Sequence, residues 1–279
     1  MNEKMKNLTL RTLSGLVLAA VVIGAILLSK WSFGALLLAI LIGGMCEFYR
    51  MTGKSGVSPQ RILGLVLGVL FFVVNFLQAT EVLDVAETVK MMTLYCILLI
   101  PVMFICELYR HHENPIANIG TTLLGVLYIA LPLSLMCYFP HIQGGWNPSV
   151  MLFFIFIIWS NDVFAYLVGM SIGKHKLFKR LSPKKSWEGF FGGVAGAVAM
   201  GVVAANVMGA NPYHWIVLAL VASVSGVLGD LVESMFKRSI NVKDSGKSIP
   251  GHGGWLDRFD AMLLSAPFVF VYMILIEMI

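Results

Sequence analysis

The residues best suited to chemistry are concentrated in Ser234–Asp260. This stretch holds five Lys or Arg, three Asp and four Gly, in a chain whose hydrophobic content is 58%. One apolar run ends at Leu231 just ahead of it, and another starts at Ala261. A polar, glycine-rich, charge-dense loop is therefore clamped between two hydrophobic segments. Asp230 lies just inside the first segment, and Asp257 and Asp260 open the second. Asp257 and Asp260 are one helical turn apart, so both carboxylates can face one point. With Asp230 across the loop, three carboxylates would repel strongly unless a divalent cation joined them. Gly251, Gly253 and Gly254 permit backbone conformations closed to other residues and let N–H groups approach phosphate. The chemistry to expect is that of a metal ion and a phosphate-bearing ligand.

Two features of the loop are less direct. Ser245-Gly246-Lys247-Ser248 invites a P-loop reading, but Asn241 stands where the first glycine is required and no strand precedes it. His252, between glycines, is open to two readings: a group that touches substrate, or a hydrogen-bonding structural residue.

Further candidates lie upstream. Asp162, Tyr166, Gly169 and Gly173 share one helix face by their three-to-four spacing. A carboxylate inside an apolar span is costly, so Asp162 is a functional candidate, against a purely structural pairing with basic loop residues. Ser182-Pro183-Lys184-Lys185-Ser186-Trp187-Glu188-Gly189 offers two N-cap residues for the next helix, Ser182 and Ser186, and the sequence does not choose between them. Two lysines at a helix N-terminus oppose the dipole, which is tolerable where they face an anion. Ser223, Gly226, Asp230, Glu233, Ser234 and Lys237 form a polar stripe on an apolar helix, which must face the bundle interior or water.

The elements that must position these groups are membrane spans. Charged residues make up only 13% of 279 residues, and nine apolar runs approach or reach the roughly 20 residues needed to cross about 30 Å of hydrocarbon. They are Leu13–Leu28, Trp31–Tyr49, Ile62–Leu77, Thr88–Leu108, Ile119–Phe139, Val150–Ile172, Trp187–Met208, Tyr213–Phe236 and Ala261–Ile279. The fold class expected is an all-α polytopic integral membrane protein. Residues 1–80 carry helices one to three, 81–148 helices four and five, and 149–279 the catalytic helices six to nine with their loops. Lys4, Lys6 and Arg11 ahead of the first run resemble a signal peptide. No small-x-small cleavage site appears before Lys30, so an uncleaved first helix is expected.

Loop charge sets the orientation. Eighteen of the 20 Lys and Arg fall in the N-terminal segment and alternate loops, and only Lys30 and Lys90 fall on the other side. Positive loops face the cytoplasm, which places the N-terminus inside and the C-terminus outside. The same rule accounts for the net charge of +5 without nucleic acid. Cys46, Cys96, Cys106 and Cys137 form no CxxC pair and read as small buried apolar residues. The first five spans look poor in chemistry, with Glu47, Arg50, Glu107 and Arg110 explained by snorkelling and interfacial pairing. Gly64, Gly68, Gly125 and Gly193 suit close helix packing.

Ser234–Asp260 reads Ser-x-x-Lys-Arg-x-x-x-x-Lys-Asp-x-x-x-x-x-Pro-Gly-His-Gly-Gly-x-x-Asp-Arg-x-Asp. It resembles the signature of phosphatidate cytidylyltransferases, the CDP-diacylglycerol synthases. Asn161-Asp162 with Tyr166 and Gly169, and the Ser182–Gly189 segment, resemble that family too, with Ser186 where Thr is usual. The resemblance covers Ser160–Asp260 and implies an integral enzyme of the bacterial inner membrane. Its active site would face the cytoplasm, and its partners would be CTP, phosphatidic acid and membrane lipids. It also implies Mg²⁺, held by Asp230, Asp257 and Asp260, and is compatible with a second cation and with a homo-oligomer. The catalytic set expected is Asp230, Asp257, Lys237 and Arg258. Asp162, Ser182, Lys184, Lys185, Ser234, Arg238, Lys243, Gly251, His252, Gly253 and Gly254 are expected to bind substrate. Related CTP-dependent enzymes on another lipid, a CDP-archaeol synthase or a polyprenol kinase, are the nearest alternatives. An ion-coupled transporter is the alternative from another class.

Overall fold

A computed structural model describes residues 3–142, 144–246, 248 and 253–277. The chain is an all-α polytopic membrane protein, with one small hairpin among the described residues. Its helices are α1 Glu3–Leu28, α2 Lys30–Thr52, α3 Arg61–Ala79, α4 Val85–Arg110, α5 Pro115–Gly125 and α6 Leu131–Met136, then α7 Pro148–Ile172, α8 Trp187–Met208, α9 Pro212–Ser239 and α10 Leu256–Glu277. A π-helical turn at Val126–Ala130 joins α5 to α6, so the fifth expected span is one helical run with a local widening. Among the described residues, eight helical stretches are long and apolar enough to cross a membrane. In α1 the apolar part found is the shorter Thr12–Leu28.

Polar residues set the helix ends. The Ser29 hydroxyl accepts from the Ser32 N–H at 3.1 Å, so α2 starts one residue after α1 stops. Asp84 caps α4 by accepting from the Glu87 N–H at 2.8 Å. Of the two candidate caps for α8, Ser186 takes the position, its hydroxyl accepting from the Gly189 N–H at 3.1 Å. Ser182 instead begins a strand. Strands β1 Lys176–Phe178 and β2 Ser182–Ser186 pair antiparallel, with Lys176 opposite Ser186 and Phe178 opposite Ser182.

The chain divides into two compact units. The first comprises Met1–His141 with Ile240–Arg258, the second Ile142–Ser239 with Phe259–Ile279. In the first unit, glycines let helices close on large side chains. A Cβ at Gly64 or Gly125 would strike the Tyr49 ring, and one at Gly68 would strike Met45 Sδ. The Tyr49 hydroxyl, buried there, donates to Thr122 O at 2.7 Å. Glu107 is 5% exposed and accepts from Gln60 at 2.7 Å, Asn118 at 2.6 Å and Arg110 at 2.7 Å, so the expected pairing with Arg110 is one bond of a buried network. In the second unit, α7 and α8 meet through Gly189 and Gly193. Their Cβ positions lie 2.8 Å from Ala165 O and 2.7 Å from Asn161 Oδ1. The four thiols are free, and Cys137 is buried as expected. Cys46 and Cys96 are exposed on helix surfaces, a correction that costs little where the surroundings are hydrocarbon.

Candidate active site

Five elements of the second unit, α7, β1, β2, α8 and α9, line a cavity of about 410 Å³. α7 supplies Asn161, Asp162, Tyr166 and Gly169, β2 supplies Lys184 and Lys185, and α9 supplies Asp230. The three-to-four spacing in α7 does bring Asp162, Tyr166 and Gly169 to one surface. The hairpin explains how two lysines reach it. β2 is extended, so neighbouring side chains leave on opposite faces. Lys185 turns inward and its Nζ lies 2.5 Å from Asp230 Oδ2, while Lys184 stays exposed at the rim. The hairpin is itself stapled to α8. Glu188 accepts from the backbone N–H groups of Lys174 at 3.1 Å and His175 at 3.2 Å, and its Oε1 lies 2.6 Å from His175 Nδ1. The Asn161 side chain donates to Asp162 Oδ1 at 3.5 Å, and among the described residues no Lys or Arg lies within ion-pair distance of Asp162.

Beside the cavity, Asp230, Glu233 and Asp260 bring carboxylate oxygens within 4.8 Å of one another. The cause is close packing of α9 on α10. A Cβ at Gly229 would lie 2.6 Å from Asp260 O, so only glycine lets the two backbones approach there. Ser234, one turn on, donates to Asp230 Oδ1 at 3.3 Å. The donor set is hard oxygen with high negative charge, which suits a small divalent cation such as Mg²⁺. Glu233, 1% exposed, was visible in the sequence only as a member of the polar stripe. It accepts from Lys237 Nζ at 2.6 Å, so the lysine expected to meet phosphate is tied to a buried carboxylate.

The loop of the first unit is organised differently. Asp257 Oδ2 accepts from the N–H of Gly254 at 2.9 Å and of Ser245 at 3.1 Å. Gly253 has φ +88, the left-handed region that favours glycine, and a Cβ there would lie 2.8 Å from Asp257 Oδ2. Lys243 and Arg258 are exposed, and Arg238 is exposed at the end of α9 in the second unit. Gly251 and His252 lie outside the described residues.

Sequence reading missed Glu47. It is 2% exposed, and its Oε1 accepts from the Ser248 hydroxyl at 2.5 Å. Its Oε2 accepts from the Ser245 hydroxyl and the Leu256 N–H, each at 3.2 Å. Snorkelling to an interface does not describe this residue. No local signal marks it, because every partner is about 200 positions away.

A model of the cytidylyltransferase family matches residues 9–276. A protein of Bacillus subtilis named phosphatidate cytidylyltransferase is 33% identical over 267 residues, 93% of this chain and 95% of the relative. A Synechocystis protein of the same name is 31% identical over 298 residues, covering 96% and 97%. One from Rickettsia bellii, also so named, is 30% identical over 280 residues, covering 96% and 92%.

Proposed function

The chain belongs to the cytidylyltransferase family, and on that premise we propose how its residues divide the work of moving a cytidylyl group from CTP to phosphatidic acid. The enzyme is a nucleotidyltransferase of phospholipid synthesis. A phosphate oxygen of the lipid bonds to the α-phosphorus of CTP, the bond from that phosphorus to the bridging oxygen breaks, and pyrophosphate leaves. The product is CDP-diacylglycerol. The nucleophile is already an anion, so no strong base is needed. What the site must supply is alignment and positive charge for two polyanions that repel.

Asp230 is the observation that carries the assignment. It belongs both to the carboxylate cluster and to the wall of the cavity. Asp230, Glu233 and Asp260 are proposed to hold Mg²⁺, which when bound would neutralise phosphate charge. Lys185, resting on Asp230, and Lys184 at the rim are placed to meet phosphate oxygens, and Asp162 to keep Lys185 oriented between two acidic groups. Ser234 steadies the Asp230 carboxylate. Lys243, Arg258 and Arg238, all exposed, are each proposed to meet a phosphate. The test uses purified protein, labelled CTP and phosphatidic acid, with and without Mg²⁺. Labelled CDP-lipid that requires the cation is expected. Absence of CDP-lipid in its presence would remove the assignment.

We place the site on the cytoplasmic side of a bacterial inner membrane. The alternating loop charge supports this reading, because CTP arrives from the cytoplasm and the basic loops belong there. With nine spans, a reporter fused after Ile279 reads as external and one inserted in Lys174–Lys185 as cytoplasmic. A cytoplasmic signal at both positions would break the nine-span arrangement.

A further inference from the structure

Glu47 is a charged side chain, 2% exposed, that accepts three hydrogen bonds from a loop far along the sequence. A buried carboxylate is costly unless its oxygens are satisfied, and here hydroxyl and amide donors satisfy both. The loop is shaped to receive it. Cβ atoms built at Gly246 and Gly254 would collide with the Glu47 carboxylate, so glycine at both positions is what lets the backbone wrap it. Ser245 is held twice, its hydroxyl by Glu47 and its N–H by Asp257. Gly254 is held by Asp257 and Leu256 by Glu47. Two carboxylates, one from α2 and one from α10, thus hold Ser245, Ser248, Gly254 and Leu256 against the entropy of a free loop.

We infer that Glu47 is a positioning residue for cytidylyl transfer, acting by anchoring Ser245, Ser248 and Leu256 of the signature loop. This deepens the transfer reading and rests on it. Glu47 itself touches no reacting atom. Its effect comes from geometry, since a displacement of about 1 Å in a positioning group can cost about 100-fold in rate.

Three variants separate positioning from mere support: Glu47→Ala, Glu47→Gln and the double Ser245→Ala, Ser248→Ala. Gln keeps an acceptor for the Leu256 N–H and can donate to the Ser248 hydroxyl, so it should rescue. The measurements are amide hydrogen exchange at Ser245, Gly254 and Leu256, thermal stability, and kcat and KM for CTP and for phosphatidic acid. Glu47→Ala should speed exchange at those amides and lower kcat/KM for CTP about 100-fold. The serine double variant should move both readouts in the same direction, and Glu47→Gln should restore most of both. Faster exchange with unchanged kcat/KM would overturn the inference. So would activity that merely tracks the folded fraction while loop exchange stays as in wild type. If Glu47→Ala does not fold, the serine pair alone decides by the same two readouts. Wild-type protein that makes no CDP-lipid would sink the transfer reading, and the exchange data would still decide whether Glu47 anchors the loop.

Discussion

Asp230→Asn is expected to leave the protein inserted and folded while lowering kcat about 100- to 1000-fold, the scale seen when a preorganised electrostatic group is removed from a reacting centre. The substitution keeps the shape and one acceptor oxygen, so the bond from Ser234 to Oδ1 can persist. It removes the charge, and three things depend on that charge. The carboxylate cluster loses one of its three anions. Lys185, at 2.5 Å from Oδ2, loses its counter-ion. The cavity wall becomes neutral where two polyanions must be aligned. The measurement is turnover against Mg²⁺ concentration for wild type, Asp230→Asn and Asp260→Asn, with calorimetric Mg²⁺ binding as a readout independent of activity. Both variants should bind the cation more weakly, with Asp260→Asn retaining more turnover at saturating Mg²⁺. If Asp230→Asn keeps wild-type turnover and metal dependence, Asp230, Glu233 and Asp260 are not the metal site.

Lys237→Met should have a different signature, with stability falling first. The Glu233 side chain is 1% exposed and that of Lys237 11%, with 2.6 Å between the charged atoms. Deleting one member of such a pair strands the other, at a cost of about 3–5 kcal/mol, whereas replacing both is often near neutral. Lys237→Met is therefore expected to unfold at markedly lower denaturant or temperature. The double Lys237→Met, Glu233→Gln should recover most of that stability but not turnover, because Glu233 is also one of the clustered carboxylates. Lys174→Ala serves as the exposed control and should change neither property appreciably. Recovery of both stability and turnover in the double variant would mean that the pair is only structural.

Eight spans were legible because hydropathy is read over long windows, where single residues matter little. The polar stripe of α9 was legible for a related reason: helical periodicity puts Asp230, Glu233, Ser234 and Lys237 together wherever the helix packs. The hairpin was not. β1 has three residues and β2 five, and Lys and Pro in them carry no strand preference, so pairing arises from the stapling of Glu188 to Lys174 and His175. The choice between Ser182 and Ser186 as helix cap turned on that hairpin. Asp257 was legible as an acidic residue beside glycines, but not its capture of the Ser245 and Gly254 N–H groups. That capture depends on how the loop folds back, which no spacing encodes.

The attachment of the Ser245–Leu256 loop to Glu47 also has a temporal side. Glu47 and Ser248 are separated by 201 positions. At about 5–20 residues per second, a ribosome takes roughly 10–40 s to cover that distance. During that interval α2 is already made, and its carboxylate has none of the three donors that later surround it. The growing protein must keep Glu47 in contact with water until the loop arrives, since a carboxylate stranded in hydrocarbon is costly. Closing so long a loop is slow compared with forming a helical hairpin such as α1–α2. Arrival of the loop is thus a late step in biogenesis, and chains truncated before Ser245 would carry a permanent lesion in α2, a natural mark for quality control.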